Sequence, residues 1–340
     1  MKRAASDLGE DAVRRIAKLW QVDDDRVVWT DKGFDWWPGS FRVSVRAEKG
    51  EMEDHGDARR IVVRTAVLKD VPIRNVRTRL AIGKIPPTLS PTFAWVYMPV
   101  GLKHDTLTDR PVWFQSAVYA REDTQEWLPE FFGRMALLQP IWAERYAAST
   151  GREVGAQADV SPLYQVSETH PADDMLGVAD AIYIPAGREP NRWIGTGEFE
   201  AISERFGMQD ACFGFGGETG LTLETPIGSS SAHIRLLTDA PHPTLGSGLL
   251  AIVQLPDWRD EAAIVEQCAW LNFYEAMTWT EFPQLGSWRA KEVGDGVFAA
   301  SHVMFIPNAF YKRGLATNAA LWQVGRAKWV KKMLWPKLED

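Results

Sequence analysis

Asp11-Ala-Val-Arg-Arg-Ile-Ala-Lys-Leu-Trp20 and Gly197-Glu-Phe-Glu-Ala-Ile-Ser-Glu-Arg-Phe206 are the two stretches on which the reading of this chain turns. In the first, Val13, Ile16 and Trp20 fall at i, i+3 and i+7 and line one helical face. In the second, Phe199, Ile202 and Phe206 repeat that spacing, with Thr196 placed to cap the helix. Val13 to Phe199 is an offset of 186 residues, and the same offset recurs downstream with little drift. A repeat of that length in 340 residues predicts two tandem copies of one domain.

Outward from each helix come three strand-like runs: Arg26 to Trp37, Ser40 to Ala47 and Arg60 to Leu68 in the first copy; Ala211 to Pro226, Ser231 to Thr238 and Gly248 to Leu255 in the second. Gly33 and Gly220 punctuate the first run of each at an offset of 187, and Ile61–Val67 matches Leu249–Leu255 at 188. A middle helix follows, Ile73 to Ile82 and then Glu261 to Met277, the second apolar all round and so expected to be buried. The first of these carries Arg74, Arg77, Arg79 and Lys84, whereas Asp257, Asp260, Glu261 and Glu266 accompany the second. Opposite signs fit docking of the halves on each other as well as two solvated faces. Two strands close each copy, Thr92 to Met98 with Val112 to Ala120, and Trp279 to Val293 with Val297 to Ile306. The runs Val112–Tyr119 and Val297–Met304 align without a gap at an offset of 185. Each copy ends in a helix, Trp127 to Ala148, where Pro140 predicts a kink, and Gly314 to Trp335.

The order helix, three strands, helix, two strands, helix predicts an α+β fold in two copies, each an antiparallel sheet with helices laid on its apolar face. The expected layout is a first repeat over residues 1–150, a linker segment over 151–192 with part of it laid on a domain, and a second repeat over 193–340. Over roughly residues 10–148 and 195–335 this repeated order resembles the type III secretion chaperone-like fold, including the bacterial proteins similar to YbjN. Those chaperones pair as dimers and offer hydrophobic surface to a partner chain, so the resemblance implies a tandem chain that makes a pseudo-dimer with itself. It transfers no functional residue, because no motif carries it.

Composition narrows the function. A formal net charge of -7 argues against a phosphate-binding surface over the whole chain, though not against a local basic patch, and nucleic acid is not an expected partner. Cys212 and Cys268 are too few for a disulfide framework and read as small buried hydrophobes. No secretory signal opens the sequence and no apolar run reaches bilayer length, so cytoplasm is the expected compartment.

Chemistry-bearing motifs are sparse. Gly214-Phe-Gly-Gly-Glu-Thr-Gly220 precedes a strand rather than a helix and lacks a following Lys-Ser/Thr, so it reads as a hairpin turn rather than a nucleotide loop. Ser229, Ser230 and Ser231, with His233 or His302 as base and Asp239 to orient it, lack the nucleophile elbow and read as a loop. The six histidines form no zinc pattern, and His55 within Glu51–Asp57 reads as a charged hairpin tip. No catalytic residue, metal ligand or cofactor is therefore assigned.

Tryptophan is the remaining signal, with 16 in the chain. Adjacent Trp36 and Trp37 on a strand point to opposite faces, so one must be covered by something other than a single-sided core. Trp288, and Trp322 and Trp329 seven apart on the last helix, complete the candidate binding surface. Arg326, Lys328, Lys331, Lys332 and Lys337 interleave with Trp322, Trp329 and Trp335, which suits membrane contact through that helix as well as cations that complement its macrodipole. The function expected is non-catalytic binding of another protein or peptide, chaperone-like in character, through hydrophobic surface near the seam of the pseudo-dimer, with self-association left open. The alternative is a small-molecule binder or enzyme with its site in the interdomain crevice.

Overall fold

The computed structural model describes residues 5–22, 24–49, 58–84, 92–97, 111–124, 126–161, 193, 196–207, 213–217, 220–242, 245–278, 280 and 282–333. Within them the chain is α+β and builds two antiparallel sheets, one from each half. The first half runs α1 (Ala5–Leu19), β1 (Val27–Thr30), β2 (Gly33–Trp36), β3 (Val43–Lys49), β4 (Arg59–Lys69), α2 (Val76–Gly83), β5 (Ala94–Val96), β6 (Val112–Ala120), α3 (Leu128–Ala136) and α4 (Leu138–Tyr146). After a short β7 (Gln157–Ala158), the second half runs α5 (Glu198–Gly207), β8 (Phe213–Gly217), β9 (Gly220–Ile227), β10 (Ser230–His242), β11 (Gly246–Arg259), α6 (Glu261–Met277), β12 (Ser287–Gly294), β13 (Val297–Pro307) and α7 (Leu315–Met333). The strand orders, β1-β2-β3-β4-β6-β5 and β8-β9-β10-β11-β13-β12, are the same order twice.

Three details correct the sequence reading. The first strand-like run of each copy is a hairpin, so four strands rather than three precede the middle helix; the break falls at Gly33 and at Gly220. A Cβ on Gly33 would stand 1.9 Å from the Val45 carbonyl oxygen, and one on Gly220 2.3 Å from that of Leu236, so the next strand passes too close for any side chain. The offset of 185 across the last strand is also wrong. Val63 faces Ser116 and Ala251 faces Met304, which puts both strands of the pair at 188. An odd slip would exchange the two faces of the strand, and the cross-strand partners exclude it. Finally, α2 starts at its Asn75 cap, whose side chain accepts from Arg77 N, so Ile73 precedes the helix. Thr78 and Ile82 are its buried residues, while Val76 is exposed.

One face of the first sheet is covered by α1, α3 and α4. Val13, Ile16 and Trp20 are buried as the spacing predicts, and Trp20 Nε1 donates to the Gly133 carbonyl at 2.9 Å, tying α1 to α3. Pro140 breaks the predicted long helix one turn ahead of itself, between α3 and α4. Part of the segment after residue 151 does lie on the first half. Gln157–Ala158 pairs with β4, Phe41 bridges Val160, and Asp159 N donates to Val67 O. In the second half Phe199, Ile202 and α7 cover one face. The strand-like piece Ala181–Pro185 lies outside the described residues.

The helix α6 belongs to both halves. It contacts β12 and β13 of its own sheet and β5 and β6 of the other, on the faces away from α1, α4 and α7. Its apolar circumference has this cause, since a helix buried on two sides needs apolar residues on both. Ala276 and Phe273 meet Ala94, Val96 and Trp113 in a small cluster separate from the main core. Alongside, α2 packs on α6, where Arg79 stands 3.9 Å from Glu266 and Lys84 3.4 Å from Glu261. The opposite signs of the middle helices do meet.

Candidate binding site at the seam between the halves

The edge strand β5 is only three residues long and covers β6 from Trp113 to Gln115. Beyond it, among the described residues, the other half supplies the partner of β6. Ala117 N donates to Gln284 O at 3.0 Å and Gln284 N returns a bond to Ala117 O at 2.7 Å, so the segment before β12 acts as an edge strand for the first sheet. Around this bridge the seam is polar. Arg60, buried on β4, donates to the carbonyls of Glu275 (3.4 Å) and Ala276 (2.9 Å), which are last-turn acceptors of α6 with no intrahelical partner. Gln115 Nε2 donates to Ala276 O at 3.1 Å and to Gln284 Oε1 at 2.7 Å.

From the other side a buried ion pair pins the same segment. Arg326 of α7 is fully buried and donates through Nε (3.1 Å) and Nη2 (2.9 Å) to Glu275 Oε1, and through Nη2 to Pro283 O at 2.5 Å. Its guanidinium lies 4.6 Å over the Phe282 ring. Glu275 Oε2 accepts from Trp288 Nε1 at 3.0 Å, and Asn272 bonds the backbone N and O of Trp288. Burying two charges is compensated here because each finds several partners. Arg326 therefore does not belong to a cationic membrane-facing stripe, and no helix among the described residues is long and apolar enough to cross a membrane.

Next to Trp288 stands His302, buried, with ring centroids 5.4 Å apart. Burial, reinforced by Arg326, holds its pKa well below the ordinary imidazole value of 6.5. The folded state thus refuses a proton that the unfolded state accepts. Stability is expected to be full above the ordinary value and to fall as pH drops below it, with a slope approaching about 1.4 kcal/mol per pH unit. Urea unfolding of wild type and His302→Phe along a pH series checks this; identical pH profiles would contradict it.

The five candidate tryptophans do not come together. Trp36 is buried in the first core, stacked on Trp20 at 5.5 Å, and Trp37 is half-buried beyond the end of β2. Trp288 is buried in the ion-pair network, and Trp329 is half-buried edge-on to Phe282 at 6.1 Å. Trp322 lines a cavity. That cavity, about 340 Å³, opens at the seam between the start of α3 and the first turns of α7, with Tyr119, Trp127 and Leu128 from one half and Thr280, Asn318 and Trp322 from the other. No family model, curated protein or solved structure matches the chain. The site must speak through its own chemistry.

The cavity brings aromatic and polar groups of both halves together. Tyr119 Oη accepts from Thr280 N at 2.9 Å, and Thr280 Oγ1 donates to Phe282 O, so the floor is already hydrogen-bonded across the seam. Arg121 and Asp123 pair at 3.2 Å on the rim, and the Lys312 ammonium sits 5.0 Å over the Trp127 ring. The Asn318 side-chain amide and the indole N–H groups of Trp127 and Trp322 have no hydrogen-bond partner among the described residues. His233 pairs with Glu224 at 3.3 Å on the surface, and no serine hydroxyl bonds its ring among the described residues. Ser229 lies in the β9–β10 turn, with Ser230 and Ser231 on β10. The glycine stretch makes the β8–β9 hairpin, where Gly217 faces Gly220. Cys268 is buried, which pushes its thiol pKa up, and no cluster of metal ligands occurs among the described residues. Cys212, Glu218, His55, His104 and His170 lie outside them. Sequence reasoning missed Tyr119, Trp127 and Asn318, since only the spatial meeting of α3 with α7 makes them neighbours.

Proposed function

We propose that this chain is a non-catalytic binding protein that seats a segment of another protein at the seam, with a side chain of that segment entering the cavity between Trp127 and Trp322. The observation that carries the reading is a cavity walled by indoles from both halves. Tryptophans in desolvated pockets are the usual anchors of protein interfaces. The intramolecular pseudo-dimer and the chaperone-like resemblance fit the same reading, as a surface that exists only where two copies of the domain meet. A small-molecule ligand is the second reading, favoured by a cavity volume of about 340 Å³, within the range of ligand pockets.

Panning a random peptide library against the full chain tests the first reading. Enriched peptides are expected to lose about tenfold or more in affinity with Trp322→Ala, which removes ~1.4 kcal/mol or more of contact. They are expected to keep it with Trp29→Ala, on the exposed far edge of the first sheet. Enriched peptides indifferent to Trp322 would overturn the proposal. A metabolite that raises the melting temperature of wild type but not of Trp322→Ala would establish the second reading instead.

A further inference from the structure

The face of the first sheet turned away from α1, α3 and α4 carries a row of arginines, of which the seam takes up Arg60. On β3 and β4, Ser44 lies opposite Arg64, Arg46 opposite Val62 and Glu48 opposite Arg60, and the bond from Ala66 N to Arg42 O continues the ladder. Alternate positions share a face, so Arg42, Arg46, Arg60 and Arg64 stand on one surface. Arg60 is taken up by the end of α6 and by Glu48 at 3.5 Å. Arg46 pairs with Asp35 at 2.6 Å, and Asp35 also accepts from the Ser44 hydroxyl. That leaves two guanidinium groups without a hydrogen-bonded or ion-paired carboxylate among the described residues. Arg64 is held in place by the neutral Gln115, through Nε at 2.9 Å and Nη2 at 2.6 Å, with its plane 5.3 Å over Trp113. Arg42 is exposed, and its guanidinium makes no hydrogen bond or ion pair among the described residues.

Two such cations are unexpected in a chain of net charge -7, where carboxylates outnumber bases. Burial lowers the Arg64 pKa, and repulsion by Arg60, Arg42 and Arg46 adds to it against the attraction of Glu48. A half-buried guanidinium crowded by its own kind costs stability until an anion completes it. Here Gln115 and Trp113 fix the orientation of Arg64 without contributing a negative charge, and the nearby Glu48 is shared with Arg60.

We infer that this face docks an acidic protein segment in extended conformation, whose carboxylates pair with Arg42 and Arg64 beside Trp113. Carboxylates on alternate residues of an extended chain stand about 7 Å apart. Arg42 and Arg64 are diagonal cross-strand neighbours, with backbones about 7–8 Å apart. The spacing and the charge both match. A nucleic acid fits less well, because a phosphate track asks for a run of cations, and Asp35 and Glu48 stand in the same rows and repel it. Neither Arg42 nor Arg64 lines the seam cavity, so this inference does not rest on the proposed function.

Fluorescence anisotropy with the full chain tests it, using a labelled octapeptide of alternating Glu and Val, a Lys/Val counterpart and a single-stranded oligothymidylate. The Glu/Val peptide is expected to bind saturably, more weakly at high salt, and about tenfold or more weaker to Arg42→Glu. The Arg42 side chain is exposed, so that variant is expected to fold; Arg64→Gln is expected to weaken binding too, with the fold of both confirmed by circular dichroism. Trp322→Ala is expected to leave this binding unchanged, which separates the result from any failure at the seam. No saturable binding of the Glu/Val peptide, or equal binding by Arg42→Glu, would overturn the inference. So would tighter binding of the oligothymidylate, which would assign the face to nucleic acid.

Discussion

Arg326→Leu is expected to lower the stability of the whole chain by about 3–5 kcal/mol, read as a fall in the urea midpoint. The substitution strands Glu275, which is 2% exposed, without its counter-ion, and frees the carbonyls of Pro283 and Leu285. An unpaired buried carboxylate must take up a proton or draw in water, and both cost free energy. Adding Glu275→Leu is expected to restore part of the loss, because no charge is then left unpaired, while Trp288 Nε1 and the Pro283 and Leu285 carbonyls stay without their partners. If the single variant melts with wild type, the ion pair does not hold the seam segment.

Gly286→Ala is the second large effect. Gly286 has φ +86°, and a Cβ there would stand 2.0 Å from the Val303 carbonyl oxygen. Backbone cannot yield as a side-chain tip can, so the loop must move, at a cost of about 2–4 kcal/mol. Since Gln284 lies two residues earlier, the movement is expected to reach the bridge to Ala117. Hydrogen exchange at the Ala117 amide should accelerate by more than at Val63, in the centre of β4. A variant with wild-type melting and unchanged Ala117 protection would refute this.

Much of the fold was legible because its signals are local. The spacing of Val13, Ile16 and Trp20 states a buried face without reference to anything distant, and Val112–Ala120 is a strand with the bounds read from sequence. The hairpin breaks at Gly33 and Gly220 were visible as punctuation but not as turns, since the decisive fact is the neighbouring carbonyls of Val45 and Leu236. Arg326 shows the limit most clearly. Among Lys328, Lys331 and Lys332 it reads as one more surface cation, and only Glu275, 51 residues away, makes it a core residue. The candidate site was legible least of all: Trp322 was named, but Tyr119, Trp127 and Thr280 acquire meaning only through the meeting of the two halves.

The helix α6 has a bearing on how the chain is made. During synthesis the whole first sheet leaves the ribosome before residues 261–286 exist, at ordinary elongation rates on the order of ten seconds earlier. For that interval the acceptors of Arg60 and Gln115 are missing and the edge of β6 beyond β5 is bare. The nascent first half must wait in a state whose missing strand and helix are still being translated, and a stop codon placed between the halves would make that waiting permanent.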